Sequence, residues 1–242
     1  MNKNIKIVTI LGWICTVAAL IYLVYRLVNY DNYEAFWESF TRASLYQYIA
    51  LAVAICLLPC QLLIESRKWQ LMLRGLVSVS LVEAFWQVIY GHVAAFITPY
   101  RLGDYPGRLI KVGYTPEQWR SFIGTWKDWL KDWRKWLRVL LFHLARYVVW
   151  MTQLWAILYF CDITLSPAEA LVSIVSYYFC ITVMPSVPVG DIAFKGGWAV
   201  LIFSHFTENI PSIAVSVTLV WCVNTMLPLL LSLFMARKTD KV

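Results

Sequence analysis

Four long apolar runs set the terms on which this chain folds: residues 5–25, 46–64, 139–160 and 213–234. A helix of about 20 residues crosses a hydrocarbon core of about 30 Å. In lipid every backbone N–H and C=O must be paired within the protein, so uninterrupted apolar runs of this length read as spanning helices. Composition agrees, since 60% of the 242 residues are apolar and only 14% are charged, against about 25% charged in an ordinary soluble domain. That is too little charge to cover a soluble surface. The 13 tryptophans also suit a chain that meets two membrane interfaces. The expectation is a single all-α membrane domain over residues 1–242, a polytopic transmembrane helical bundle. Its first run has a cationic start in Lys3 and Lys6, outlasts the 7–15 apolar residues of a signal peptide and lacks a small-residue cleavage site, which predicts an uncleaved signal anchor. The six cysteines lie mostly inside apolar runs and read as small buried hydrophobes; Cys56 and Cys60, one helical turn apart, are not a zinc signature.

A repeat divides the chain. Ser80, Glu83, Ala84 and Pro99 recur 86 residues on (166 − 80) as Ser166, Glu169, Ala170 and Pro185. After one inserted residue, Gly103, Asp104 and Arg108 are answered by Gly190, Asp191 and Lys195, 87 residues on (191 − 104). The two copies cover about residues 80–114 and 166–206, and each is a short apolar run, a break and a restart. Pro99 and Gly103 make the first break; Pro185, Pro188 and Gly190 make the second. The runs 84–98 and 170–184 give helices of about 22 Å, short of a full core. Such lengths predict broken or re-entrant helices, and two of them entering from opposite sides would form an inverted repeat with both Gly-Asp breaks near the midplane.

Lys and Arg placement orients the chain. Lys3 and Lys6 put the N-terminus in the cytoplasm, the loop with Asp31, Glu34 and Glu38 reads as outside, and Arg67, Lys68 and Arg74 bring the chain back. Residues 101–138 hold nine cations against four acids and so read as cytoplasmic, as do Arg237, Lys238 and Lys241 at the C-terminal end. Within that segment, residues 116–138 predict an amphipathic helix. Trp119, Trp126, Trp129, Trp133 and Trp136 form a stripe opposite Lys127, Lys131, Arg134 and Lys135, which suits a helix lying in the headgroup plane.

His143, Arg146 and Gln153 share a face inside the run 139–160. An intramembrane cation costs at least about 2.5–3.5 kcal/mol on insertion scales, so Arg146 either contacts an anion or extends its stem to the headgroups. Asp104 and Asp191 have two readings as well. Each caps the helix that restarts after its break, or pairs with Arg108 or Lys195 one turn on. Arg101, Arg108, Arg146 and Lys195 are the candidate lipid-phosphate ligands, Arg being suited to grip two oxygens.

Glu65-Ser66-Arg67-Lys68-Trp69, Thr98 to Asp104 with Gly107-Arg108, Pro185 to Gly197, and Trp221 with Asn224 and Pro228 together resemble the transmembrane region of the lysylphosphatidylglycerol synthase family, also called flippase-like or uncharacterised family 0104 proteins. The resemblance runs from about residue 5 to 234. It implies a multi-helix bundle in the plasma (inner) membrane, with members linked to flipping aminoacylated phospholipid and others to lipid-linked sugar transfer. It also brings in Glu65 and Arg67 as site-orienting residues beside Asp104 and Asp191. Bifunctional members carry a soluble aminoacyl-transfer domain after the membrane part, and a further pair of spans is expected after residues 121–126. Neither is present in these 242 residues, so the resemblance is read as extending to lipid handling and not to synthesis.

The expectation is therefore a multi-pass membrane protein, both termini cytoplasmic, that binds or translocates an anionic lipid, either a phospholipid or a polyprenyl-phosphate carrier. The alternative is a membrane enzyme or accessory subunit in lipid-linked sugar transfer, with a glycosyltransferase or other lipid-modifying enzyme as partner. No HExxH, P-loop or metal-ligand cluster occurs in the sequence, so no cofactor, metal, catalytic residue or nucleic-acid partner is assigned.

Overall fold

Helix breakers, and their absence, place the elements. The structure is a computed structural model that describes residues 3–74, 77–98, 102–110, 132–184, 187 and 190–232, with Glu117, Arg120 and Gly124. Among the described residues it is all-α. In chain order the helices are α1 (Lys3–Val28), α2 (Tyr33–Thr41), α3 (Leu45–Leu73), α4 (Leu81–Ile97), α5 (Asp104–Ile110), α6 (Trp133–Phe160), α7 (Pro167–Val183), α8 (Asp191–Phe203) and α9 (Ile210–Trp221). A π-helical turn, Cys222–Met226, continues α9. Three stretches are long and apolar enough to cross a membrane, Thr9–Val28, Leu45–Leu73 and Ile210–Ser232. Their outward faces are apolar as well: Ile10 and Ile21 of α1 are 60% and 64% exposed, which suits lipid as the surrounding medium and not water.

The boundary expected at residue 138 is absent. Residues 133–138, read from the sequence as the end of an interfacial helix, are the first turns of α6, which runs unbroken for 28 residues. No Gly or Pro interrupts Trp133 to Phe160, and Asp132 caps the start by accepting the Arg134 N–H at 3.1 Å. The remainder of that interfacial helix lies outside the described residues except for Glu117, Arg120 and Gly124, all three helical. At its other end α6 closes on a Schellman motif: Ile163 N–H donates to Leu158 C=O at 2.9 Å and Asp162 N–H to Tyr159 C=O at 3.2 Å. Asp162 supplies the left-handed residue, φ 63°, where glycine is the commoner choice.

The repeat is present as local structure. Ser80 and Ser166 both build complete capping boxes, with Glu83 and Glu169 answering the serine N–H at 2.8 Å in each copy. The helices that follow, α4 and α7, are each 17 residues long. Both end on an extended residue, Thr98 (ψ 140°) and Met184 (ψ 133°), as a chain approaching proline must. The helices after the breaks then start on Asp104 and Asp191. A long helix precedes each copy: α3 of 29 residues and α6 of 28.

The chain divides into two compact units. Unit 1 comprises Met1–Cys56 and Met151–Asn224, unit 2 Leu57–Trp150 and Thr225–Val242. In unit 1, α8 packs against α1, α7 and α9, and Phe194, Ala199, Val200 and Phe203 are buried. Gly197 lets α1 approach: a Cβ there would stand 2.7 Å from the Ala19 carbonyl oxygen, closer than atoms tolerate. In unit 2, α4 and α5 form the corresponding hairpin.

Candidate functional site

The most unusual feature of unit 2 is a carboxylate sealed among cations. Glu65 lies on the helix α3, with its side chain 2% exposed. Its Oε2 accepts from Lys68 Nζ at 2.6 Å and from Arg146 Nη1 at 2.8 Å, and its Oε1 accepts from Arg108 Nη2 at 2.9 Å. Local geometry explains the first contact, since residues three apart share a helix face. Arg108 comes from α5 and Arg146 from α6. Arg108 also grips Asp104 with two bonds, Nε to Oδ1 at 2.9 Å and Nη2 to Oδ2 at 3.0 Å, the bidentate arrangement that suits a planar guanidinium. Asp104 therefore pairs with Arg108, and it is at the same time the first residue of α5, so both of its readings are compatible with the structure.

Aromatic rings fix the cations in place. The Arg108 guanidinium carbon lies 5.2 Å from the Trp69 ring centre and 5.5 Å from that of Tyr105, and Arg146 sits 4.4 Å over Trp150, all within cation–π range. Trp69 is held in turn by donating its Nε1–H to Gln87 Oε1 at 2.5 Å, and Trp150 donates to Gln61. His143 Nε2 lies 3.5 Å from Lys68 Nζ. Close helix packing is part of the same construction. A Cβ on Gly91 of α4 would come within 2.6 Å of both Arg108 Cγ and Asp104 Oδ1.

Charge counting shows an imbalance. Lys68, Arg108 and Arg146 are answered by Glu65 and Asp104, which leaves one net positive charge among the described residues of the cluster. The Arg108 side chain is 2% exposed, yet its Nη1 has no hydrogen-bond partner. Burial of such a group without a partner costs about 1–3 kcal/mol or more when charged, so it is a place where an additional acceptor would be stabilised. Arg146 and Asp104 are the more open members at 17% and 24%.

Unit 1 carries the second Asp–cation pair. Lys195 Nζ donates to Asp191 Oδ2 at 2.6 Å, and Trp221 Nε1 donates to the same oxygen at 3.2 Å. A separate polar chain lies in this unit: Gln153, with no exposed surface, donates to the Ala54 carbonyl at 2.9 Å and accepts from Asn224 Nδ2 at 2.7 Å. Asn224 sits in the π-helical turn, a feature often found at functional sites.

Of the residues singled out from sequence, the structure brings Glu65, Asp104, Arg108 and Arg146 together. Arg146 is turned onto Glu65 and Trp150. Arg67, one residue off the Glu65–Lys68 face, is bonded to Gln70 at 3.1 Å and stands outside the cluster. Gly103 donates its N–H to Thr98 Oγ1 at 2.7 Å, and Gly190 precedes α8 as its N-cap. Pro99, Arg101, Pro185 and Pro188 lie outside the described residues. Lys68 and the rings of Trp69, Tyr105 and Trp150 were not assigned to the site from sequence. The available signal was the Glu-x-x-Lys spacing near the end of an apolar run. Among the described residues no group of three His, Cys, Asp or Glu is placed to hold a metal. Comparison with protein-family models, curated proteins and solved structures finds no match to this chain.

Proposed function

We propose that this protein binds the anionic headgroup of a lipid at the Glu65-centred cluster and moves that lipid between leaflets of the membrane it spans. The observation that carries this reading is the unpartnered, buried Arg108 Nη1 in a cluster whose described residues include three cations, beside a helix long and apolar enough to cross a bilayer. An anion there would satisfy both the charge and the free N–H groups, and charge-assisted bonds of this kind are about twice as strong as neutral ones. The lipid tail would remain against the apolar outer faces of the helices. The sequence repeat supports transport over catalysis, because internal repeats are common in transporters. In this reading the protein resides in the plasma (inner) membrane with both termini cytoplasmic and acts on a phospholipid or a polyprenyl-phosphate carrier.

The test is reconstitution of the full chain into liposomes with fluorescent phosphatidylglycerol in one leaflet. Redistribution that is lost on Arg108→Ala and Asp191→Asn supports transport. Redistribution equal to protein-free liposomes overturns it, and a chemically altered phosphatidylglycerol without redistribution favours the enzymatic alternative.

A further inference from the structure

Proline and asparagine meet deep inside one span. The stretch Ile210–Ser232 is apolar and long enough to cross a bilayer, yet its helix loosens to a π-turn at Cys222–Met226 before continuing to Ser232. Sequence chemistry explains the place: Pro228 has no N–H to return to the Asn224 carbonyl four residues back, and its ring crowds that carbonyl. A π-turn takes up one extra residue and relieves the crowding, and prolines and π-turns are both recognised sites of helix bending. We infer that the span bends at this π-turn as lipid moves, and that Gln153 is the latch that holds the joint straight between movements; the inference rests on the transport reading above.

The latch is built from one fully buried amide. Gln153, on α6, donates its Nε2–H to the Ala54 carbonyl of α3 at 2.9 Å and accepts from Asn224 Nδ2 at 2.7 Å. A carbonyl can only accept, so the Ala54 contact fixes which way the amide faces: its NH2 is taken by α3 and its oxygen is left for the joint. Asn224 lies 14 residues from one end of the span and 8 from the other (224 − 210, 232 − 224), where no bulk water replaces a lost bond. The contact therefore favours the straight form, while a single neutral hydrogen bond between helices in a membrane is weak enough to release. Asn224 is also the last residue of its compact unit and Thr225 the first of the next, so the chain leaves one unit for the other inside the π-turn, as it would at a hinge.

Hydrogen–deuterium exchange of the full chain in detergent micelles reads the joint, and redistribution of fluorescent phosphatidylglycerol in liposomes reads its use. In the wild type, amides of residues 222–227 are expected to exchange at least about tenfold faster than those of 213–220 in the same span, as local opening would make them. Gln153→Leu should raise exchange at 222–227 by a further factor of about ten and leave 213–220 and α7 within about twofold; a uniform rise along the span makes Gln153 an ordinary packing residue and overturns the latch. Pro228→Ala restores the backbone donor and favours continuous helix. It should slow both exchange at 222–227 and lipid redistribution by about tenfold, with calorimetric binding of short-chain phosphatidylglycerol unchanged. Redistribution by Pro228→Ala at the wild-type rate, or residues 222–227 exchanging no faster than 213–220, overturns the joint while the lipid-binding reading stands. Wild-type redistribution equal to protein-free liposomes overturns the transport reading and with it the role of the joint in moving lipid. The exchange measurements then decide by themselves whether the span bends and whether Gln153 latches it. The comparison of wild-type segments holds even if a variant fails to fold.

Discussion

Replacing Glu65 by Gln removes one charge from the cluster while leaving its shape nearly unchanged. The structure makes the consequence calculable in outline. Lys68, Arg108 and Arg146 converge on this carboxylate within 2.9 Å, and the first two are almost fully buried. With Gln the cluster loses one negative charge, and the new amide N–H groups face three donors. Breaking a buried ion pair by removing one partner costs about 3–5 kcal/mol, which is roughly two to three and a half powers of ten in the unfolding equilibrium. The assay is reversible unfolding of the full chain in mixed micelles with increasing denaturing detergent, followed by far-UV circular dichroism. Glu38 is the internal control, because its pair with Arg42 at 3.5 Å is solvent-exposed on both sides and such pairs contribute little; Glu38→Gln should leave the curve close to wild type. Glu65→Gln combined with Lys68→Met removes one of the three cations as well and should recover part of the loss. If Glu65→Gln shifts unfolding by less than about 1 kcal/mol, as an exposed pair would, the carboxylate does not organise the cations and the site built around it fails.

Other outcomes follow from the same packing. Gly91→Ala forces a methyl against Arg108 and Asp104 and should cost about 1–3 kcal/mol by overpacking, read as a lower melting temperature together with weaker binding of phosphatidylglycerol. Asn224→Leu leaves Gln153 Oε1 without the amide it accepts from, at a cost of about 1–3 kcal/mol; a double-mutant cycle with Gln153→Leu should show most of that cost removed in the pair. Ser80 holds the Glu83 carboxyl below the usual carboxylate range through its backbone N–H first and then its hydroxyl, and Ser166 does the same for Glu169. A lowered folded pKa gives stability that is present above the unfolded carboxylate pKa of about 4.3 and is lost as pH falls through the folded value. Melting measured from pH 6 down to pH 3 should therefore show an acid limb that is shallower in Glu83→Gln and Glu169→Gln.

What could be read from sequence was whatever is encoded over short distances. Pro and Gly-Asp are local signals: the runs expected at 84–98 and 170–184 lie, but for their last residue, within helices of 17 residues, and the Asp–cation pairs, one of two readings of Asp104 and Asp191, are present, whereas the Ser-x-x-Glu capping boxes emerged only from the structure. The limit at residue 138 was missed because a stripe of Trp opposite Lys and Arg reads as a surface helix until its continuation is known; no breaker separates it from the apolar run that follows. The charge cluster was only half legible. Asp104 and Arg108 are four residues apart, but Glu65 meets Arg108 and Arg146 across 43 and 81 residues (108 − 65, 146 − 65). Only folding creates that proximity, and periodicity contains no trace of it. Lys68 and the aromatic rings were passed over for the same reason: each looks ordinary until its partner arrives.

That separation in sequence has a consequence for how the protein is made. At about 5–20 residues per second of synthesis, Arg146 follows Glu65 by roughly 4–16 s. During that interval α3 must hold an acidic residue near the end of an apolar helix with none of its distant partners yet in existence. Lys68, three residues on and 2.6 Å away in the finished fold, is the one cation of the cluster that is born with Glu65. It gives the Glu65 carboxylate a partner until the two arginines appear, so the same lysine that adds charge to the mature site is the first companion of that carboxylate during biogenesis.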